Sequence, residues 1–281
     1  MKILVTGSEG QLGSDLLKIL PGKHQVVGCD IQDWDITDLE SALENVSKIK
    51  PEALINAAAY TDVDGCESNP DLAYRVNTLG AHNLAIASLK VGAVMVHIST
   101  DFVFDGRKGS PYLEFDEPHP LSVYGRSKLA SEQWVSAVLN RYFIVRTAWL
   151  YGRKGKNFVK TILRLAEEKD VLRVVGDQVG SPTFSWDLAQ KIAELIESEA
   201  YGIYHVTNSG QCSWYQFAKE ILELAGRKET RVEPISSEEL ARPAPRPAFS
   251  VLRNYCLEQR GFSLLRDYYE ALKEFFSKPL E

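Results

Sequence analysis

Cysteine is scarce: four in 281 residues, at Cys29, Cys66, Cys212 and Cys256. They are scattered and none stands in a CxxC spacing, which argues against a disulfide framework or a zinc site. No apolar run approaches the length of about 18 residues that a membrane-spanning helix needs, so no membrane partner is expected. A basic field is also missing. Lys and Arg number 32 against 38 Asp and Glu, a net charge of −6, which speaks against a general nucleic-acid binder. Small anionic ligands stay open, because a few local cations can serve them. Residue 1 leads straight into a strand-like run, without a basic leader or small-residue cleavage site. The expectation is a cytoplasmic protein. The five histidines show no metal-binding spacing; His97 reads as a packed core residue, and no metal site is expected.

Apolar residues make up 44% of the chain and charged residues 25%, the balance of an ordinary globular protein. The length allows about two domains. Short apolar runs at 2–6, 25–30, 53–58, 93–99 and 142–147 are continuous rather than alternating, as in strands buried on both faces of a parallel sheet. Helical patterns lie between them at about 11–20, 39–49, 71–91 and 123–139. This alternation predicts an α/β fold with a doubly wound, mostly parallel Rossmann sheet. After Tyr151 the regularity loosens. A helix near 157–169, a strand-like 172–175, a helix over 185–197, a strand over 202–207 and a helix over 214–225 can be read. The segment 242–249 carries three prolines and cannot be a regular helix. The expected plan is a nucleotide domain over 1–149, to which the chain returns near 185–206, and a smaller C-terminal lobe drawn mainly from 150–281.

In such sheets ligands sit at the carboxyl ends of the strands. Gly7-Ser8-Glu9-Gly10-Gln11-Leu12-Gly13 is GxxGxxG, placed directly after the first strand and opening the first helix. Glycines allow a tight turn and close approach of a pyrophosphate, and the helix N-terminus offers free N–H groups. Asp30 closes the second strand, where an acid can accept hydrogen bonds from the adenine ribose and repel a 2′-phosphate. No Lys or Arg lies between Asp30 and Asp38. The expected cofactor is NADH or NADPH, with NADH favoured. Asp35 and Ile36 follow and can flank the adenine.

Tyr124-Gly125-Arg126-Ser127-Lys128 is YxxxK, which on a helix puts phenol and ammonium on one face. The ammonium is expected to lower the phenol's pKa, so that Tyr124 gives a proton to a carbonyl receiving hydride. Ser99, Thr100 and Asp101 stand at the end of the fourth strand, where a hydroxyl can polarise the same carbonyl.

Taken together, these motifs resemble the extended short-chain dehydrogenase/reductases, and among them the dTDP-4-dehydrorhamnose reductase family. The resemblance spans essentially the whole chain. Its markers are GSEGQLG at 7–13, DIT at 35–37, NAAAYTDVDGCE at 56–67, STDFVFDG at 99–106, YGRSK at 124–128 and RTAWLYG at 146–152. They continue with NFVKTILRLA at 157–166, DQVGSPT at 177–183 and RPAPRPAFSVL at 242–252. The resemblance implies reduction of the 4-keto group of a dTDP-linked sugar, with Thr100, Tyr124 and Lys128 catalytic. It implies cofactor contacts from Gly7, Gly10, Gln11, Leu12, Gly13, Asp30, Asp35, Ile36, Ala58, Ala59, Tyr60, Thr61 and Ser99, besides Tyr124 and Lys128. Asp101 and Trp149 would contact the sugar nucleotide. For the substrate pyrophosphate, Arg242 and Arg246 are the candidate cations, in a loop that its prolines stiffen. Asp15 falls where some relatives hold magnesium at a dimer contact. One carboxylate does not make a site, so magnesium stays unsupported and a homodimer open.

Two other readings compete. Sugar-nucleotide dehydratases and epimerases of this superfamily retain their NAD, and the dehydratases carry Asp-Glu after the threonine. Here Asp101-Phe102 stands in that place, so the second carboxylate is missing. A regulatory subunit like that of methionine adenosyltransferase would bind dinucleotide without catalysis, which the intact Thr100, Tyr124 and Lys128 argue against.

Overall fold

A computed structural model describes residues 1–277 of the chain. The first half runs β1 (Lys2–Thr6), α1 (Gln11–Ile19), β2 (Gln25–Cys29), α2 (Leu39–Ile49), β3 (Ala53–Asn56), α3 (Val63–Ser68), α4 (Pro70–Ala73) and α5 (Ala81–Val91). It continues with β4 (Val94–Thr100), α6 (Val123–Val138) and β5 (Tyr142–Thr147). Then follow β6 (Leu150–Tyr151), α7 (Phe158–Glu168), β7 (Val171–Val175), β8 (Val179–Gly180), β9 (Thr183–Phe184) and α8 (Ser185–Ile196). The last part holds β10 (Gly202–His205), β11 (Cys212–Ser213), α9 (Trp214–Leu224), β12 (Arg231–Ile235), α10 (Ser237–Leu240), α11 (Tyr255–Gln259) and α12 (Tyr268–Phe276).

Six strands form one parallel sheet in the order β10-β5-β4-β3-β1-β2. The order reverses between β1 and β3, and a crevice opens at the carboxyl end of such a pair. Thr6 lies level with Asn56 on one side and Cys29 on the other, so everything downstream of these residues meets there. Apolar cores cover both faces. One packs α1 and α8 on the sheet through Leu16, Leu188 and Ile192; the other packs α2 and α5 through Val46, Leu84 and Ala85. A third core, with Tyr151, Phe184, Phe217 and Phe275, belongs to the later segments. Two-stranded pairings β7–β12, β8–β11 and β6–β9 complete that part.

Local chemistry sets the helix ends. Asp38 caps α2 by accepting from the N–H groups of Glu40 and Ser41, and Ser122 caps α6 by accepting from Gly125 N–H. Where one helix over 71–91 is expected, the chain instead makes α4, a π-helical segment (Tyr74–Gly80) and α5. The wide turn brings the adjacent residues Asn77 and Thr78 to bear on Ser127 of α6: Asn77 Nδ2 donates to its hydroxyl at 3.0 Å, and Thr78 Oγ1 to its carbonyl at 2.8 Å. The strand read to residue 58 stops at Asn56, because Ala57 and Ala58 turn into the crevice wall.

Four of the seven buried residues of α6 are polar: Ser127, Lys128, Ser131 and Glu132. Glu132 is paired with Arg146 of β5 at 2.7 Å, both side chains less than 5% exposed, and it accepts from Ser99 Oγ. Removing one partner of a buried pair strands the other charge. Arg146→Met should therefore cost about 3–5 kcal/mol in urea unfolding. A loss under about 1 kcal/mol, the range of exposed pairs, would show that the pair does not anchor the helix.

Candidate active site

The crevice at the strand-order reversal is a cavity of about 560 Å³, within the range of small-molecule sites. Its walls include Gly7, Gly10, Asp30, Asp35, Ile36, Ala58, Ala59 and Tyr60, all candidate cofactor contacts from the sequence. Gly7 sits at φ +71, and a Cβ there would lie 2.6 Å from Ala58 N, so only glycine lets β1 and β3 end this close together. No side chain caps α1 at Gly10, which leaves the first helical N–H groups for an anion. A dinucleotide fits this cradle: a bare helix N-terminus, an acid at the strand end and small residues on the facing wall. Asp30 is held in place by accepting from Glu9 N–H at 2.9 Å and Ile31 N–H at 2.8 Å.

Other candidates act less directly. Gly13 packs against the Gly7 carbonyl, where any Cβ would collide. Leu12 is core, and the Gln11 side chain accepts from Asn157 Nδ2 at 2.9 Å across to the second half of the chain. Gly13 by its lack of a side chain, and Leu12 and Gln11 by theirs, shape the loop; contact with a ligand would come through their backbone. Thr61 is exposed, just beyond the cavity lining. Ser99 turns its hydroxyl away to Glu132. The sequence reading missed Arg75, which lies on the cavity wall. It belongs to the π-helical segment, whose phase a regular 3.6-residue pattern misreads. It also missed Asn77, whose amide accepts from Tyr60 N–H at 2.7 Å and donates to Tyr60 C=O at 3.1 Å, fixing that wall to α6.

The end of β4 and the start of α6 bring Thr100, Asp101, Tyr124 and Lys128 together. Thr100 Oγ1 donates to Asp101 Oδ1 at 3.1 Å and accepts from Phe102 N–H at 3.2 Å. Asp101 is buried, its Oδ2 has no hydrogen-bond partner in the structure, and desolvation pushes its carboxyl up to about 6. Tyr124 packs edge-on against Phe102. Its phenol is pushed up by burial, with Asp101 adding to the rise and the Thr100 hydroxyl offsetting part of it. This corrects the expectation that Lys128 lowers it: burial decides, and the ammonium, one N–H of which goes to the Ile98 carbonyl at 2.6 Å, is not among the groups that move the phenol. Burial also brings Lys128 down to about 8, against the opposing pull of Glu132.

Trp149 is one of three non-glycine residues at positive φ among the described residues, at +47. A bulky residue rarely takes that conformation, and it marks strain at a site. Its indole stacks on Trp214, ring centroids 3.5 Å apart and 6° from parallel. Behind Trp214 lies a second cavity of about 480 Å³ with Phe158, Gln178, Arg242 and Arg246 in its wall. Both arginines are also held by Asp64: Arg242 NH1 donates to Oδ2 at 3.2 Å and Arg246 NH1 to Oδ1 at 3.0 Å. These guanidinium groups were expected to await a pyrophosphate; the structure gives them a protein carboxylate. Asp15, the candidate magnesium position, is buried and accepts from Ser185 Oγ at 2.5 Å, so it presents no open carboxylate. No group of three or more metal-binding side chains occurs among the described residues.

The family profile described as RmlD substrate binding domain matches residues 1–280. The chain belongs to this family. It is 43% identical to the spore coat polysaccharide biosynthesis protein SpsK of Bacillus subtilis, over 99% of this chain and 97% of that protein. A solved dTDP-4-dehydrorhamnose reductase of Clostridium acetobutylicum is 49% identical, with a TM-score of 0.96 and 99% of each chain covered. One from Bacillus anthracis, in complex with NADP, is 44% identical, with a TM-score of 0.97 and 99% of each chain covered. A UDP-glucose 4-epimerase of Thermus thermophilus, at 23% identity and TM-score 0.85, shares the fold of the RmlD family. No helix among the described residues is long and apolar enough to cross a membrane.

Proposed function

We propose that this chain reduces the 4-keto group of dTDP-4-dehydro-6-deoxy-L-mannose to give dTDP-L-rhamnose. The observation that carries this reading is the meeting of Thr100 and Tyr124 at the end of β4 and the start of α6, with Phe102 where a dehydratase places its second carboxylate. A bound NADH or NADPH supplies the hydride. Gly7 and Gly10, with the N–H groups of Gln11, Leu12 and Gly13, hold the pyrophosphate of the dinucleotide. Asp30, Asp35 and Ile36 flank its adenosine, and Ala58, Ala59, Tyr60, Thr61 and Ser99 line its path to the reaction centre. Lys128 holds the nicotinamide ribose.

Tyr124 gives its phenolic proton to the C4 oxygen, and the Thr100 hydroxyl hydrogen-bonds the same oxygen. A phenol kept protonated by burial suits a donor. Asp101 and Trp149 orient the sugar, and Arg242 and Arg246 face the pyrophosphate with Asp64 as their standing counter-ion. Residues 1–149, with the return at 185–206, carry the cofactor. The remainder of 150–281 carries the sugar nucleotide; residues 278–281 lie outside the described part. A cytoplasmic setting, where both nucleotides are found, accords with this reading. A relative of Streptomyces niveus, 39% identical, is named dTDP-4-keto-6-deoxy-D-glucose reductase, so the sugar is the point to test.

The direct test follows NADH oxidation on adding each nucleotide 4-keto-sugar. Turnover of dTDP-4-dehydro-6-deoxy-L-mannose is expected, and normal NADH binding without turnover of it would reject the reading. Tyr124→Phe should lower kcat by about 10²–10⁴-fold and leave NADH affinity nearly unchanged.

The pH profile follows from the two perturbed groups. Asp101 gains a proton below about pH 6 and Lys128 loses one above about pH 8. Accordingly kcat/KM should fall on both sides of that window, and Asp101→Asn should abolish the acid limb alone.

For the cofactor we hold NADH ahead of NADPH. Asp30 opposes a 2′-phosphate, while Arg75 is the cation on the cavity wall that can meet it. Arg75→Ala should raise KM for NADPH about tenfold or more, as loss of a charge-assisted bond implies, and spare NADH. A tenfold preference of the unaltered enzyme for NADPH would overturn this ranking.

A further inference from the structure

Behind the catalytic helix runs a chain of buried polar groups with no part in the proton transfer above. Thr6, Asn56, His97 and Ser131 are each at most 1% exposed. Asn56 Oδ1 accepts from Ala58 N–H at 3.1 Å and from Thr6 Oγ1 at 3.0 Å. A backbone N–H can only donate, so the amide orientation is set and its NH2 group faces His97 Nδ1, 3.2 Å away. An NH2 group needs an acceptor, so Nδ1 carries the lone pair and the ring proton sits on Nε2. From there it is donated to Ser131 Oγ at 2.8 Å, and Ser131 in turn donates to the Lys128 carbonyl at 2.6 Å. Every partner agrees with one tautomer.

The consequence falls on Lys128. Its Nζ is 3.5 Å from His97 Nε2, where both groups carry hydrogens, and it donates to the Ile98 carbonyl instead. Complete burial and the Lys128 charge hold His97 well below its ordinary pKa, so the ring is neutral. The nearest carboxylate on the helix, Glu132, is bound to Arg146 and Ser99 and competes for neither group.

We propose that His97 is a positioning residue: Asn56 sets its tautomer, and that tautomer denies the Lys128 ammonium an acceptor behind the helix. One N–H then stays on Ile98 and the others are left for the cleft. The proposal rests on the role of Lys128 in the reductase reading. It makes Ala58, on the cofactor wall, and Lys128 the two ends of one hydrogen-bonded line.

The test uses the full-length protein with 15N-labelled histidine, five rings in all. His97 should show a protonated Nε2 and an unprotonated Nδ1 across the neutral pH range. Asn56→Asp puts an acceptor opposite Nδ1 and should move the ring proton there. The lone pair freed on Nε2 then draws Lys128 back. Expected results are a kcat at least tenfold lower, an alkaline limb shifted to higher pH, weaker NADH binding and an unchanged KM for the sugar nucleotide. Should Asn56→Asp not fold, His97→Gln, which keeps a donor for Ser131 and turns no acceptor to Lys128, should retain most activity, whereas His97→Glu, whose carboxylate is an acceptor at that place, should lose it. A wild-type ring protonated on Nδ1 or on both nitrogens overturns the proposal. So does a moved proton that leaves kcat, the alkaline limb and NADH affinity unchanged, or equal activity in the Gln and Glu variants. If the wild type turns over no keto-sugar, the reductase reading fails by itself. The ring-proton and NADH-affinity measurements still decide this proposal.

Discussion

The seating of α6 on the sheet is the contact on which the site depends. A helix that packs through an apolar stripe can slide or rotate by a fraction of a turn at small cost, because dispersion is not directional. Here the buried face presents Ser127, Lys128, Ser131 and Glu132, and each is tied to a named group on β4, β5 or the π-helical segment. Hydrogen bonds in a low-dielectric interior fix direction as well as distance. Tyr124 and Lys128 share this helix, so its register decides where the proton donor and the ammonium stand relative to Thr100. An apolar replacement of the whole set could be as stable and still fail to hold that register.

The same attachment reaches the wall of the crevice. Asn77 grips the Tyr60 backbone on one side and Ser127 on the other, and Asn56 grips Ala58 and His97. The crevice wall and α6 are thus parts of one bonded unit, and a displacement of either is felt by both. The clasp of Asp64 on Arg242 and Arg246 extends this unit across the chain, tying α3 to the proline-rich segment. Two guanidinium groups against one carboxylate leave a local surplus of one positive charge on a chain whose total is −6.

Features encoded by neighbours in sequence were legible, and those made by distant partners were not. The five strands of the first half were readable because burial on both faces leaves continuous apolar runs. The glycine loop and YxxxK were readable because their geometry spans a single turn. Arg75 escaped because one π-helical segment shifts the phase of everything after it. The β12 strand escaped because Pro234 argues against a strand. An edge position in a two-stranded pairing tolerates it. The partnership of Asp64 with two arginines about 180 residues later leaves no local trace. The direction of the Tyr124 shift was misjudged for a related reason. Spacing shows that an ammonium is near, but only the fold shows that burial decides the shift.

Trp149 and Gly180 carry an implication for descent. The indole lies so close over Gly180 that any Cβ at that position would enter the ring. The two residues therefore constrain the order in which a lineage could change them. A side chain at position 180 is admissible only after the tryptophan has gone, and the tryptophan can return only after position 180 has reverted to glycine. A chain without the tryptophan would be free to vary at position 180, so glycine is required there only while the indole forms this wall.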